Sequence, residues 1–208
     1  MKKLCFAILL SAGLFSCSDD NDSHDSSQNF FDYKVGDKWA YRYYQQNDTG
    51  VFVGRPTTDT VRIVGTTVIE NQTYFDFETI TYDSNGNGDY PDHEYLRVNE
   101  EGNLVKVDGR IKHPGSNTSF TATMPVYIAD TEIGTYTTRL NPLESIVVEG
   151  ISYQAYNYEG YYTSFNGAGA EGDAFKEYYS PGIGLVKSST RYLYESGLKI
   201  EYRLLYHN

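Results

Sequence analysis

Along much of the chain, apolar and polar residues alternate one by one, the spacing of a β-strand with one buried face. Trp39, Tyr41 and Tyr43 alternate in this way after the turn residues Gly36 and Asp37. The segment 61–69 repeats the pattern. No later stretch shows a sustained period of 3.6 residues, so the sequence predicts an all-β protein without a confident helix.

Two sequence elements occur twice, and both times in the same order. Glu-Asn-Gln-Thr-Tyr at 70–74 is echoed by Glu-Gly-Ile-Ser-Tyr at 149–153, which begins 79 positions later. The Glu-Tyr start and Leu-Val-Lys end of 94–106 are echoed in 177–187. We therefore predict two related copies of about 80 residues, at about 60–110 and 140–190. Chance recurrence of turn residues and β-formers in a Tyr-rich β protein is the alternative.

Two related sets of strands in a chain of this size predict one antiparallel, strongly curved sheet. It would form a closed or half-open barrel, or two packed sheets. Pro125 interrupts the strand predicted for 118–129, and proline cannot donate to a β-ladder. That strand is therefore predicted to lie at an edge.

Burial of apolar residues predicts the register of the C-terminal hairpin. A three-residue loop at 195–197, with Gly197 in the left-handed conformation, makes one face nearly all apolar. That face holds the pairs Tyr194–Leu198, Tyr192–Ile200 and Thr190–Tyr202, with Val186 and Leu204 in phase. Arg191 falls on the opposite face, so Tyr192→Ser is predicted to destabilise the fold more than Arg191→Ser.

The first sixteen residues have the pattern of a signal peptide. Lys2 and Lys3 precede the apolar segment 4–15, which ends just before Ser16 and Cys17. A segment of twelve residues is too short to span a bilayer, which takes about 20. Leu-Phe-Ser-Cys at 14–17 resembles the lipobox of bacterial lipoproteins, which implies cleavage before Cys17 and acylation of that cysteine. An ordinary secretory signal, with Cys17 uninvolved, is the alternative.

Residues 17–29 form an acidic tether after the predicted cleavage site, with Asp19, Asp20, Asp22 and Asp25 and no apolar residue from 18 to 29. An acidic stretch at this place resembles the surface-export signal of Bacteroidetes lipoproteins. Gly-Asp-Lys-Trp-Ala-Tyr at 36–41 and Pro-Gly-Ile-Gly-Leu-Val-Lys at 181–187 also resemble uncharacterised lipoproteins of that group. The resemblance implies a lipid-anchored protein of the outer membrane, facing the cell surface, and it implies no activity.

Residues 30–208 are predicted to form a single β domain, large enough to bury a core without disulfides. Cys5 leaves with the signal peptide, so Cys17 has no second cysteine to pair with. Without Lys2 and Lys3, 15 basic residues remain against 28 acidic ones, a net charge of −13 with neutral histidines. Such a charge repels nucleic acid, which is therefore not expected as a partner, and it suits a neutral, cationic or metal-bridged one. A charge that serves solubility alone is the alternative.

The sequence shows no constellation that indicates catalysis. The four histidines are scattered without metal-ligand spacing, and no Gly-x-Ser-x-Gly or phosphate-binding glycine loop is present. Glu100 with Glu101, or Glu70 with Glu149, could be imagined as a glycosidase pair, but adjacent or turn-borne carboxylates are normally solvated. The chain is therefore predicted not to be an enzyme.

One loop fits the twelve-residue calcium pattern Asp-x-Asn-x-Asn-Gly followed by five residues and Glu. Carboxylate and amide oxygens at this spacing can surround a calcium ion, with glycine permitting the sharp turn. The loop lacks the flanking helices of an EF-hand, and Asn-Gly is also ordinary turn chemistry, so a solvated loop is the alternative. The predicted ligands are Asp83, Asn85, Asn87, Asp89 and Glu94.

Tyrosine is the strongest compositional signal, with 21 residues. If a sheet face exposes Tyr156, Tyr158, Tyr161 and Tyr162, their flat rings would suit glycan stacking or a protein interface. We therefore expect an envelope protein that binds a glycan or a protein partner without catalysis. The alternatives are a carrier of a small apolar ligand, which needs an aliphatic cavity of about 300 Å³ or more, and a structural subunit of an envelope complex.

Overall fold

The computed structural model describes residues 30–167, 169–192, 194–195 and 197–208. The predicted signal peptide, Cys17 and the predicted acidic tether lie outside these residues. The described residues contain no helix, and therefore none that could span a membrane. They form twelve strands: β1 (Lys38–Gln46), β2 (Phe52–Ile69), β3 (Gln72–Tyr82), β4 (Asp92–Val98), β5 (Leu104–Lys106), β6 (Ile111–His113), β7 (Thr121–Ile128), β8 (Thr131–Val148), β9 (Ile151–Ser164), β10 (Gly172–Ser180), β11 (Gly184–Thr190) and β12 (Ile200–His207).

All twelve strands belong to one antiparallel sheet, as the alternating pattern predicts. Their order is β6-β5-β4-β3-β2-β1-β12-β11-β10-β9-β8-β7. The first and last strands of the chain therefore pair in the middle of the sheet, and β6 and β7, which follow one another in sequence, lie at its two ends. No pairing joins β6 to β7 among the described residues, so the sheet is curved but not closed.

One face of the sheet wraps around an aromatic core. Trp39 and Tyr41 of β1 point into it, as the alternation predicts, and each is at least 95% buried. Phe30 and Phe31, which precede β1, pack into the same cluster. The other buried members come from strands on both halves of the sheet: Ile63, Phe77, Leu96, Leu104, Val148, Tyr153, Ala155, Tyr179, Val186 and Leu204.

The two sequence repeats lie in matching hairpins. Both β2 and β8 are 18 residues long. Glu70 and Asn71 turn the first hairpin with φ of 50° and 63°, and Glu149 and Gly150 turn the second with φ of 50° and 82°. Positive φ at both central residues is typical of the two-residue turn whose twist suits a hairpin. The origin of the match in a duplication stays an interpretation.

The edge position predicted from Pro125 is confirmed, because β7 ends the sheet. The predicted C-terminal register is wrong by two residues, since Thr190 pairs with Ile200 and Ser188 with Tyr202. Both strands keep their predicted faces, and Val186 and Leu204 are fully buried. The difference arises where β11 ends, because the Arg191 amide bonds to the Ala174 carbonyl at 3.3 Å. β11 ends at Thr190 and β12 begins at Ile200, so the connection is longer than the predicted three-residue loop.

This change reverses the predicted order of two substitutions. Arg191 is 9% exposed, its guanidinium lies 5.6 Å from the Tyr162 ring, and its Nη1 donates to the Glu195 carbonyl at 2.9 Å. Tyr192 is 44% exposed. We expect Arg191→Ser to lower the free energy of unfolding by about 1–2 kcal/mol more than Tyr192→Ser. Urea unfolding of the two variants measures this, and a larger loss for Tyr192→Ser would restore the original face assignment.

Candidate binding groove at the seam of the sheet

We call the gap between β6 and β7, the two end strands of the sheet, the seam. Two local features keep β6 short. Pro114 follows it directly and has no amide to continue the ladder. Gly115 has φ of 63°, and a Cβ there would lie 2.5 Å from the Gly102 carbonyl oxygen, so only glycine fits this close approach. The chain then turns through residues 114–120, so that Phe120 lies directly before β7.

A groove of about 570 Å³ lies along the seam. Its walls are mainly apolar, and three aromatic rings dominate them. Tyr158 lies at the centre, with the Phe120 ring centroid 6.0 Å away at 64° and the Phe175 centroid 5.7 Å away at 62°. Such edge-on contacts hold the rings at fixed angles to one another. The remaining apolar lining consists of Ile111, Ala122 and Met124.

Phe175 can occupy this position because it pairs with a glycine on β9. Gly160 lies directly opposite it in the register. A Cβ on Gly160 would be 2.2 Å from the nearest carbon of the Phe175 ring. The missing side chain thus leaves the space in which the ring lies, a common role of glycine inside a strand.

Four charged residues line the same groove. Lys106 and Arg110 are already paired, at 2.7 Å to Glu94 and 2.6 Å to Asp108. Glu177 and Lys112 have neither a hydrogen bond nor a close ion pair within the described part of the chain. Burial raises the pKa of Glu177 and Glu94 adds to the rise, while Lys112 and Lys106 oppose it.

His113, the last residue of β6, packs against the aromatic core and carries no charge. Its ring lies 5.3 Å from Phe30 and 4.2 Å from Tyr179, and burial lowers its pKa to about 3. Its Nδ1 accepts the Gly115 amide at 3.1 Å, which leaves the proton on Nε2. The residue therefore fixes the end of β6 and does not act as an acid or base at neutral pH.

A second cavity, of about 250 Å³, lies inside the curve of the sheet. Seven aromatic side chains contribute to its lining, and Asp59 accepts hydrogen bonds from the Tyr202 hydroxyl and Thr81 Oγ1, both at 2.8 Å. Lys112 lines this cavity as well as the groove. The cavity is smaller than the aliphatic chamber that an apolar carrier would need, and the charged side chains of Asp59, Glu94 and Lys112 lie beside its aromatic and aliphatic lining.

The predicted stripe of four exposed tyrosines does not form. Successive residues of β9 point to opposite faces. Tyr158 and Tyr162 are 6% and 0% exposed, and Tyr156 is half-buried against Phe30. Of these four, Tyr161 alone lies on the outer face, where it is 47% exposed. Of the four tyrosines, Tyr158 alone lines the groove.

The predicted calcium ligands are not brought together either. The carboxylate of Asp83 accepts the amides of Asn85 and Asn87 at 2.8 and 2.9 Å, and hydrogen bonds from Asn87 lower its pKa. Glu94 pairs with Phe77 of β3, six residues before Asp83, so it lies about 20 Å along the strand from the loop. Its carboxylate bonds to Lys106. The described residues contain no group of three or more His, Cys, Asp or Glu side chains that could hold a metal ion.

This geometry predicts that calcium leaves the stability of the protein unchanged. We expect equal melting temperatures in millimolar calcium and in chelator, because no shell with both Asp83 and Glu94 can close around an ion. The Asp83→Ala variant should lose some stability through its turn hydrogen bonds, and equally in both conditions. A calcium-dependent rise in the melting temperature that Glu94→Gln abolishes would restore the predicted site.

Four important groove residues were not predicted as a site. Phe120 precedes β7, Phe175 lies in β10 and Lys112 belongs to the three-residue strand β6, and no sequence motif marks any of the three. Glu177 carries a signal, because it belongs to the repeated Glu-Tyr element. The corresponding residue of the first copy, Glu94, lines the cavity of about 250 Å³.

Comparison with known proteins finds two solved structures of similar fold and assigns the chain to no family. No protein-family model and no curated protein matches the chain. A candidate lipoprotein from Parabacteroides distasonis is 13% identical over 86% of this chain and 98% of its own, with a TM-score of 0.43. A candidate exported protein with a YmcC-like fold from Bacteroides fragilis is 13% identical over 86% and 99%, with a TM-score of 0.48. At these values neither likeness establishes a common function.

Proposed function

We propose that this chain is a lipid-anchored protein of the bacterial outer membrane, facing the cell surface, whose β domain binds a glycan in the seam groove without cleaving it. The leader supports the location, because Cys17 follows the apolar segment and precedes an acidic tether. Each buried acyl CH₂ contributes about 0.8 kcal/mol, so two or more chains hold such a protein on a membrane. The tether lets the domain stand away from the surface.

The observation that carries glycan binding is the set of three rings in the groove. Phe120, Tyr158 and Phe175 present aromatic surface in a cleft of about 570 Å³, within the size range of ligand sites. Polar groups of both charges converge on the same cleft. Sugars have apolar C–H faces and polar rims, so they match a site that combines ring faces with donors and acceptors.

The other two functions have less support from this geometry. The interior cavity of about 250 Å³ is smaller than an apolar carrier needs, and three charged side chains line it. A purely structural subunit has no need of a groove of this size and lining. Co-purification of a stoichiometric protein partner, with no bound sugar, would favour the structural role.

The test of glycan binding is native mass spectrometry of protein extracted from its own membrane, followed by a glycan array. We expect the protein to carry a bound sugar. Because the sugar is not cleaved, its mass should be the same before and after incubation with the protein. Phe175→Ala should weaken binding of the best array glycan by about tenfold or more, since the stacking and the buried area of a ring together contribute about 1.4 kcal/mol or more. Phe165→Ala is the matched control, because Phe165 is 40% exposed and does not line the groove. Equal binding by both variants would refute this site.

The anchor is tested separately by Cys17→Ala. We expect the wild-type chain to take up a fatty-acid label and to sediment with the outer membrane, and the variant to do neither. External protease should digest the wild-type domain on intact cells. Release of an unlabelled wild-type protein into the medium would show an ordinary secretory signal instead.

A further inference from the structure

The charges of the groove divide into two groups, and only one group is available to a ligand. Lys106 is held by Glu94 at 2.7 Å and Arg110 by Asp108 at 2.6 Å. Lys112 and Glu177 remain without a hydrogen bond or close ion pair in the described ranges of the chain. The groove therefore offers one ammonium with three donors and one carboxylate with about four acceptor sites.

Each class of ligand would meet this pair differently. An acyl chain would cover both groups without bonding either, and a buried polar group left unpaired is strongly unfavourable. An acidic ligand would gain Lys112 but would face the carboxylate of Glu177. A cationic ligand would gain Glu177 but would face Lys112 and Lys106. A hydroxyl both donates and accepts, so a neutral polyol satisfies both groups and meets no like charge.

We propose that the seam groove selects uncharged sugars, with the Glu177 carboxylate accepting from sugar hydroxyls and the Lys112 ammonium donating to them. This inference rests on the proposed glycan-binding function. The aromatic rings supply affinity for any sugar face, whereas Glu177 and Lys112 set the preference for charge. Both residues are therefore specificity determinants, and they act through the ligand's hydroxyl groups.

The test compares sugars that differ only in charge. The probes are hexasaccharides of glucose, mannose and galactose, and the C6-oxidised, uronate form of whichever binds best. Isothermal titration calorimetry of the intact protein should show the neutral chain bound at least about tenfold more tightly than its uronate form. Binding of the neutral chain should change little between low and high salt, because no net charge is neutralised.

Variants assign the preference to the two residues. Glu177→Gln keeps an acceptor and removes the charge, so the neutral-to-uronate ratio should fall to within about threefold of one. Lys112→Met keeps the length of the chain and removes the donors, so affinity for the neutral sugar should fall about tenfold or more. Glu195→Gln and Lys199→Met are the controls, since neither lines the groove. Circular dichroism and melting temperature confirm that each variant is folded.

The outcomes separate this inference from the function on which it rests. A neutral preference that Glu177→Gln removes supports it. Equal or tighter binding of the uronate form overturns the inference and leaves glycan binding in place. An unchanged ratio in Glu177→Gln also overturns it, because the preference then arises elsewhere. Binding of no sugar at all overturns the proposed function and this inference together.

Discussion

Replacing Trp39 by alanine is expected to lower the free energy of unfolding by about 3–5 kcal/mol, the range for removal of a large buried aromatic. The indole is 5% exposed and stacks on Phe77 with ring centroids 6.1 Å apart. Its Nε1 donates to the Ile183 carbonyl at 2.7 Å, which ties β1 to the turn between β10 and β11. The alanine variant loses the packing, leaves a cavity and strands a buried carbonyl.

Urea unfolding measures this loss, and Tyr90→Ala is the control. Tyr90 is 98% exposed, so its removal should change stability by no more than about 0.5 kcal/mol. If the two variants unfold at the same urea concentration, then Trp39 does not lie in the core, and the placement of β1 at the middle of the sheet is wrong.

Adding a single methyl group at Gly160 is expected to disturb both stability and the groove. The new Cβ would lie 2.2 Å from the Phe175 ring, so the ring must rotate out of its place. We expect a loss of about 1–3 kcal/mol from overpacking. Binding of the best array glycan should fall about tenfold or more, as for Phe175→Ala, because the displaced ring no longer forms the wall.

Gly65→Ala is the matched control for this substitution. Gly65 also lies inside a long strand, but a Cβ there meets no atom within 4 Å. The variant should keep its glycan affinity and change stability by less than about 1 kcal/mol. Equal effects of the two substitutions on binding would show that Phe175 does not form a wall of the site.

The strands could be predicted from the sequence because their signals are local. Alternation placed Trp39 and Tyr41 in the core, and Pro125 identified the edge strand from its missing amide alone. The turns at Glu70 and Glu149 were predicted for the same reason. Each of these features depends on a few neighbouring residues, so no knowledge of the rest of the fold is needed.

The groove could not be predicted, because it depends on which strands end the sheet. Phe120 and Phe175 are 55 positions apart and meet around Tyr158 only because β7 to β10 lie side by side. The tyrosines of β9 were chosen by composition, and composition does not tell which face a residue occupies. The burial of Arg191 could not be predicted either, because its amide bonds to the carbonyl of Ala174, which is distant in sequence.

The calcium pattern failed for a related reason. Asp83, Asn85 and Asn87 have the spacing of a calcium loop. The same spacing occurs in a turn in which the Asp83 carboxylate accepts the backbone amides of Asn85 and Asn87. The twelfth position distinguishes the two. Glu94 belongs to β4, and the extended strand carries it away from the loop and toward Lys106.

The central claim is that a sugar binds at the seam of the sheet, and the most direct test is a nuclear magnetic resonance titration. Proton–nitrogen correlation spectra of the labelled protein would be followed as the best array glycan is added. We expect the largest shifts at the amides of Lys112, Phe120, Tyr158, Phe175 and Glu177, with little change at Tyr161 on the outer face. Shifts confined to the outer face, or none at saturating sugar, would contradict the account.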